Sequence, residues 1–357
     1  MILFTSDWHL QTSGMFAQPV EDGLTTRAQE GLAFIKWLGE YIIEANKDSV
    51  KISGIVHCGD MFTQKTGIST ALYNTTLDAL KKLTEDTGLG FFYMPGNHDM
   101  LMKTGAKHHN MYAISKAVEN IHVIDEEGEW FVDEKIGVEI FGVQPPFEEH
   151  DLPKPRAGCK RRVLVVHENI IGGRFESGSL IETGVSQTEL RRYAQKNKID
   201  IVFGGDIHEP QKIKGKPPIY LIGAPMQFNF GDSVSRGFWL YGGADNSATF
   251  ATYPAGPKYI TRTDEDMGDE VTFGPGEYVR FQVSKSAHLS AARAISGKNK
   301  NVIVDYIAPD QVETTSANFS TPEAMVEPYV ETFKEQYSKR ERVALTKLGL
   351  ELMRDRQ

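Results

Sequence analysis

The sequence predicts an α/β sandwich, and three observations carry that prediction. In the first hundred residues short apolar runs alternate with segments whose apolar residues recur at helical spacing. From residue 121 onward apolar runs follow one another without long helices between them, which reads as an antiparallel run leading to a second sheet. Several of the runs stop abruptly in Gly, Asp, Asn or His, as strands do when their carboxyl ends line a ligand site.

Residues 1–6 form the first expected strand, closed by Asp7-Trp8-His9. Residues 10–23 hold Gly14, Pro19 and Gly23 and read as an active-site loop. Over 24–46, Ala28, Leu32, Ile35, Leu38, Ile42 and Ala45 mark one helix face, with Thr25 or Thr26 as cap. A strand over 52–58 ends in Gly59-Asp60. Ser69 caps a helix to about residue 84, with Leu72, Thr76, Ala79, Leu80 and Leu83 along one side. Phe91-Phe92-Tyr93-Met94 is a buried strand stopped by Pro95 and Gly96 and followed at once by Asn97-His98-Asp99. A polar loop over 100–110 and a short helix to about Val118 follow. Strands are expected over 121–124, 129–132 and 138–143, then a proline-rich surface loop over 144–162 that includes Lys160-Arg161-Arg162. The strand over 163–166 ends in His167, and a glycine-rich loop spans 168–184. Ser186 caps a helix through Ala194. The strand over 199–203 runs into Gly204-Gly205-Asp206-Ile207-His208. Residues 219–222 are another strand, and 237–241 with 248–251 make a closing hairpin.

The texture changes after Pro254-Ala255-Gly256-Pro257. The expected organisation is a body over 1–255, a small second domain over 256–310, a Thr/Ser-rich linker over 311–320 and a helical region over 321–357. The last begins at Thr321-Pro322-Glu323, with proline at the first helical position. Its stripes, Met325, Val326, Tyr329, Val330, Phe333 and Tyr337, then Val343, Leu345, Leu348, Leu350 and Leu352, favour a partner groove over the chain's own body.

Composition narrows the class. With 357 residues, 40% hydrophobic and 24% charged, the chain suits a soluble globular protein with a large core. No stretch approaches the roughly 20 apolar residues of a membrane helix. The first residues read as a strand rather than a signal peptide, and the two cysteines, Cys58 and Cys159, suit a reducing cytoplasm without a disulfide framework. A formal net charge of −9 argues against nucleic-acid binding by bulk charge, though bound cations in a cleft supply positive charge of their own.

The strand ends together hold Asp7-x-His9, Gly59-Asp60, Gly96-Asn97-His98-Asp99, His167 and Gly205-Asp206-x-His208. In an α/β sandwich these ends converge on one rim. So many ionisable groups cannot share a dry site without cations, and mixed nitrogen and oxygen ligands suit a pair of divalent transition metals. Such a pair clamps a phosphoryl group and activates water. Asp60, the single acid of its loop, is the natural bridge. Asp7, His9 and His208 suit one ion; Asn97, His167 and Asp206 suit the other. His98 is left over as a general acid or a cation for the transition state, oriented by Asp99.

This order of motifs resembles the calcineurin-like metallophosphoesterase superfamily. Within it, Gly223-Ala224-Pro225 and the residues through Asp232 look like the Gly-Ser-Pro segment of SbcD-type nucleases, the nuclease subunits of a double-strand-break repair complex. The resemblance implies a two-sheet metallophosphoesterase sandwich flanked by helices, with a small α+β capping domain over 256–310 and C-terminal helices that grip an SbcC-type coiled-coil ABC ATPase. It implies DNA as substrate, two divalent ions, manganese foremost and magnesium next, and a homodimer within a heterotetramer. The sequence departs from the family at Asp206, where histidine is usual, and at Thr63, where a histidine tied to exonuclease action is common. The alternatives are another metallophosphoesterase, such as a phosphoprotein or nucleotide phosphatase, or a weakly catalytic subunit that holds DNA ends.

Several residues have plainer readings. His57 is expected as a packed core residue. His108, His109, His122, His150 and His288 are expected at the surface, and Lys160-Arg161-Arg162 in a solvated loop. Arg174, in the loop after His167, is a candidate for bidentate contact with the scissile phosphate.

Overall fold

The computed structural model describes residues 1–47, 51–101, 108–123, 128–233, 235–268, 274, 276–307, 330 and 342–348. The elements in chain order are β1 (Ile2–Thr5), α1 (Thr26–Ala45), β2 (Gly54–His57), α2 (Thr70–Thr87), β3 (Phe91–Tyr93), β4 (Met100–Leu101), β5 (His108–His109), α3 (Tyr112–Ala117), β6 (Ile121–Val123), β7 (Gly128–Asp133) and β8 (Val138–Val143). They continue with β9 (Arg161–His167), α4 (Gln187–Lys196), β10 (Ile201–Gly205), β11 (Gln211–Ile213), β12 (Ile219–Leu221), β13 (Gly237–Tyr241), β14 (Ala248–Thr252), β15 (Lys258–Thr263), β16 (Glu277–Val283), α5 (Ser286–Ser296) and β17 (Val302–Tyr306).

Two mixed sheets face one another. The first has the order β14-β13-β1-β2-β3-β6 and the second β11-β12-β10-β9-β8-β7. Side-chain alternation along each strand builds the layers. In β1, Ile2 and Phe4 point between the sheets while Leu3 points under α1. In β9, Val163 and Val165 enter the same inter-sheet core, and Leu164 and Val166 face α4. Phe4 and Phe203 stack across the gap at 3.9 Å, 6° from parallel. The result is a helix–sheet–sheet–helix sandwich, the α/β class expected.

The helix ends obey local chemistry. Thr25 accepts from the Ala28 amide, Ser69 from Leu72 and Ser186 from Glu189, each satisfying an amide that the first helical turn leaves unpaired. Helix α2 closes on Gly88 in the left-handed conformation.

Three expectations need correction. The strands over 121–143 are not one antiparallel run: β6 adds parallel to β3 in the first sheet, β8 pairs parallel with β9 in the second, and of these three strands β7 and β8 alone pair antiparallel. Strand direction was not legible because the 144–160 connection crosses without a helix. Arg161 and Arg162 are not loop residues but begin β9. Arg162 is buried, 3.1 Å from Glu139 and over the Phe141 ring, so its charge belongs to an internal pair. His109 is buried, not exposed, because the β4–β5 ladder turns it inward beside Tyr112.

Beyond the sandwich, β15, β16 and β17 form a parallel sheet on which α5 packs, with a core of Val279, Phe281, Val283, Ala292 and Val302. The small sheet touches the body through Tyr259 and Tyr278. The Tyr259 amide donates to Gln227 at 3.2 Å, and the Tyr278 hydroxyl meets Glu30 at 2.5 Å. The expected linker over 311–320 lies outside the described residues. So does the expected helical region over 321–357, except Val330, which is buried, and 342–348, which are helical with Val343, Leu345 and Leu348 exposed. Among the described residues no helix is long and apolar enough to cross a membrane.

Candidate metal centre

The strands that end in polar residues are the parallel ones, β1-β2-β3 in one sheet and β9-β10 in the other. Their carboxyl ends therefore open on the same rim. The D-x-H motifs show how side-chain direction serves the site. Trp8, between Asp7 and His9, is buried in the α1-side core against Phe34 and Phe91, with its indole N–H on Thr5 Oγ1 at 2.8 Å. Ile207, between Asp206 and His208, is buried in the α4-side core. Each apolar centre anchors in a flanking core and leaves its two polar neighbours for the rim.

The backbone at the rim is unusual. Asp7, His9, Asp60 and Asp206 all have positive φ, 55°, 44°, 61° and 79°. Non-glycine residues there carry strain of about 1–3 kcal/mol each, which the surrounding structure must hold in place. The β1 and β2 loops do so by pairing: the Asp7 amide bonds to Gly59 O (2.9 Å), His9 to Asp60 O (3.1 Å) and Leu10 to Met61 O (2.9 Å). Gly96 has no room for a side chain, since a Cβ there would run into the Asp60 carboxylate and amide.

Donor atoms within 4.8 Å of one another form three overlapping groups: Asp7, His9 and His208; His9, Asp60 and His98; Asp7, Asp60 and His167. Asp60 spans them. Its Oδ2 lies 3.6 Å from His9 Nε2 and its Oδ1 3.3 Å from His167 Nε2, the disposition a bridging carboxylate needs. His9 Nε2 and His208 Nε2 face each other at 3.0 Å. The Cys58 carbonyl lies 2.7 Å from His167 Nδ1, which aims Nε2 at the rim. Asn97 donates through Nδ2 to Asp206 Oδ1 at 3.0 Å, and Asp206 Oδ1 lies 3.7 Å from His167 Nε2. Asp206 is outside the three tight groups and joins the centre through Asn97 and His167.

The electrostatics reflect crowding. Burial lifts the Asp7 carboxyl to about 6. Burial, helped by neighbouring imidazoles and opposed by Asp60, pushes His9 down to about 3. Burial also works against ionisation of Asp60 and of His167, yet their mutual attraction prevails: Asp60 is held below the carboxylate range and His167 well above the imidazole range. Three buried donor atoms, Asp7 Oδ2, Asn97 Oδ1 and His167 Nε2, have no hydrogen-bond partner. The unpartnered Asp7 and Asn97 oxygens, with the Asp60 carboxylate and the facing His9 and His208 imidazoles, are a donor set that fits divalent cations.

His98 sits at this edge, its ring 5.3 Å from that of His9 and its Nδ1 2.7 Å from the Thr63 carbonyl. Asp99 does not orient it, contrary to expectation. The Asp99 carboxylate turns inward and accepts from the amides of Asp60 (2.7 Å) and Gly96 (2.9 Å), more loosely from Met61, and from Asn110 Nδ2 (3.1 Å). Adjacent side chains on this turn point to opposite sides, so Asp99 secures the Asp60 loop and Thr63 secures His98. Arg174 is exposed and its guanidinium donates to the Gly178 carbonyl at 2.7 Å within its own loop. His57 is buried among Trp8, Phe91 and Tyr93, and burial lowers its pKa.

Residues the sequence did not single out also shape the site. Phe228 stands edge-on to His9 and His208, with ring centroids 5.8 and 5.6 Å away, and Arg27 covers its face. Arg236, 2% exposed, donates to the His208 carbonyl and lies 3.4 Å from Asp232. Glu176 Oε1 lies 3.7 Å from His208 Nδ1. Only Phe228 had a signal, its place in the segment after Gly223.

Fold and centre together define a metal-dependent hydrolase of phosphoesters. The calcineurin-like phosphoesterase family model matches residues 1–210, and the chain belongs to that family. Members bind divalent metals, and Asp7, His9, Asp60 and His167 are among the candidate ligands here. No curated protein matches the chain. Similar solved structures include TT1561 of Thermus thermophilus (12% identity, TM-score 0.38, 62% of this chain and 88% of that one). GAP50, the anchor in the inner membrane complex of Plasmodium, is 11% identical with TM-score 0.37 over 67% and 79%. Phosphopantetheinyl hydrolase of Mycobacterium tuberculosis is 11% identical with TM-score 0.32 over 63% and 89%.

Proposed function

We propose that the chain is a manganese-dependent DNA nuclease, cleaving phosphodiester bonds as the nuclease subunit of an SbcCD-like repair or recombination complex in the cytoplasm. The observation that carries this reading is the segment from Gly223 to Asp232. It resembles the corresponding segment of SbcD-type nucleases, walls the metal centre with Phe228, and meets the small sheet through Gln227 and Tyr259. Two bound divalent ions would supply an activated water and neutralise the phosphoryl oxygens. Asp7, His9 and His208 would hold one, Asn97, His167 and Asp206 the other, with Asp60 shared. The protein's own chemistry then falls to His98, whose Nδ1 is occupied by the Thr63 carbonyl, leaving Nε2 to protonate the leaving oxygen. The exposed Val343, Leu345 and Leu348 suit the coiled-coil ATPase partner, and the resemblance to SbcD-type nucleases implies a homodimer within a heterotetramer. Arg174 remains a secondary candidate for phosphate contact, once freed from Gly178.

The test is Mn²⁺-dependent hydrolysis of single- and double-stranded DNA beside small phosphomonoesters and phosphoproteins. DNA cleavage that His98→Ala reduces by about 10²–10⁴, with Mn²⁺ binding retained, is expected. Hydrolysis of the monoesters or phosphoproteins without cleavage of DNA would replace the nuclease by a phosphatase.

A further inference from the structure

We infer that the two metal positions are chemically unequal, with the Asn97–Asp206 side built for a hard cation such as Mg²⁺ or Mn²⁺ and the His9–His208 side for a softer transition ion. This rests on the two-metal reading above and deepens it. The ligand sets differ. On one side stand two imidazoles, His9 and His208, whose Nε2 atoms face each other at 3.0 Å, with the Asp7 and Asp60 carboxylates. On the other stand one imidazole, His167, and three oxygen donors from Asn97, Asp206 and the shared Asp60. Imidazole nitrogen favours zinc, iron and similar ions, while carboxylate and carbonyl oxygen favour magnesium and manganese.

Asp206 serves this second set in two ways. Its Oδ1 accepts the Asn97 Nδ2 proton, so the amide is turned with its oxygen, buried and without a hydrogen-bond partner, free to ligate. The same carboxylate contributes charge 3.7 Å from His167 Nε2. A histidine at 206, its acceptor nitrogen spent on the ion, would leave the Asn97 amide without this partner and free to rotate. The looseness of Asp206, outside the tight donor groups, makes this the weaker position.

Electron paramagnetic resonance and calorimetry on the full-length protein test the inference without an activity assay. Two Mn²⁺ ions are expected with affinities at least tenfold apart. Mg²⁺ in excess should displace the weaker ion alone, and stoichiometric Zn²⁺ the tighter one first. Asp206→His should raise the Zn²⁺ over Mg²⁺ preference of the weaker position about tenfold or more. Asp206→Asn, which keeps an acceptor for Asn97, should weaken that position without adding the Zn²⁺ preference. Thermal unfolding of each variant with chelator confirms folding, and the wild-type displacement order stands as a test if either variant fails to fold. Equal displacement of both ions by Mg²⁺, or an unchanged Zn²⁺ over Mg²⁺ preference at the weaker position of a folded Asp206→His, would overturn the inference and leave the nuclease reading to its own DNA assay. Binding of fewer than two Mn²⁺ ions would overturn both.

Discussion

Asp99→Ala tests whether this carboxylate holds the Asp60 loop rather than His98. Asp99 is buried and takes two short bonds, from the Asp60 and Gly96 amides at 2.7 and 2.9 Å, besides one from Asn110. A hydrogen bond to a charged acceptor contributes about 1.5–3 kcal/mol, so the two amides together stand for about 3–6 kcal/mol. Burying the carboxylate offsets part of this: burial, then the Asp60 charge, raises its pKa above the ordinary value. The expected net loss on truncation is about 3 kcal/mol, measured by urea unfolding in chelator. Because Asp60 carries the shared oxygens, Mn²⁺ affinity should fall at both positions. If Asp99 oriented His98 instead, the variant would keep its metal affinity and lose only turnover, as His98→Ala should. A loss under about 1 kcal/mol together with wild-type Mn²⁺ affinity would refute the role assigned here.

The remaining expectations follow from burial and charge. Metal affinity should rise with pH. The Asp7 carboxyl, lifted to about 6, must lose its proton to ligate, so apparent affinity should fall about tenfold per pH unit below 6. His167, whose pKa is raised, must also shed a proton, so the rise should continue above pH 7, whereas His9, lowered to about 3, is already neutral. Calorimetric Mn²⁺ titrations between pH 5 and 8 check the slope, and a flat profile would contradict it. Phe4→Ala removes a fully buried ring stacked on Phe203 between the sheets and should cost about 3–5 kcal/mol in denaturant unfolding while the centre still binds metal.

Much of this molecule was readable in its order of residues. The alternation of apolar and polar positions placed α1, α2, α4 and most strands, because burial on one face imposes periods of 3.6 and 2. The abrupt change from apolar run to Asp, Asn or His marked the rim, because a buried strand tolerates such groups only where it ends. Direction and distance were not readable. Whether β8 runs with β9 or against it depends on a crossing loop that leaves no periodic mark. That Asp99 turns toward Asp60 while His98 turns toward Thr63 depends on which way one turn presents neighbouring side chains. Sequence spacing therefore named the acids and imidazoles at the rim, and only their packing across two sheets decided which atoms meet.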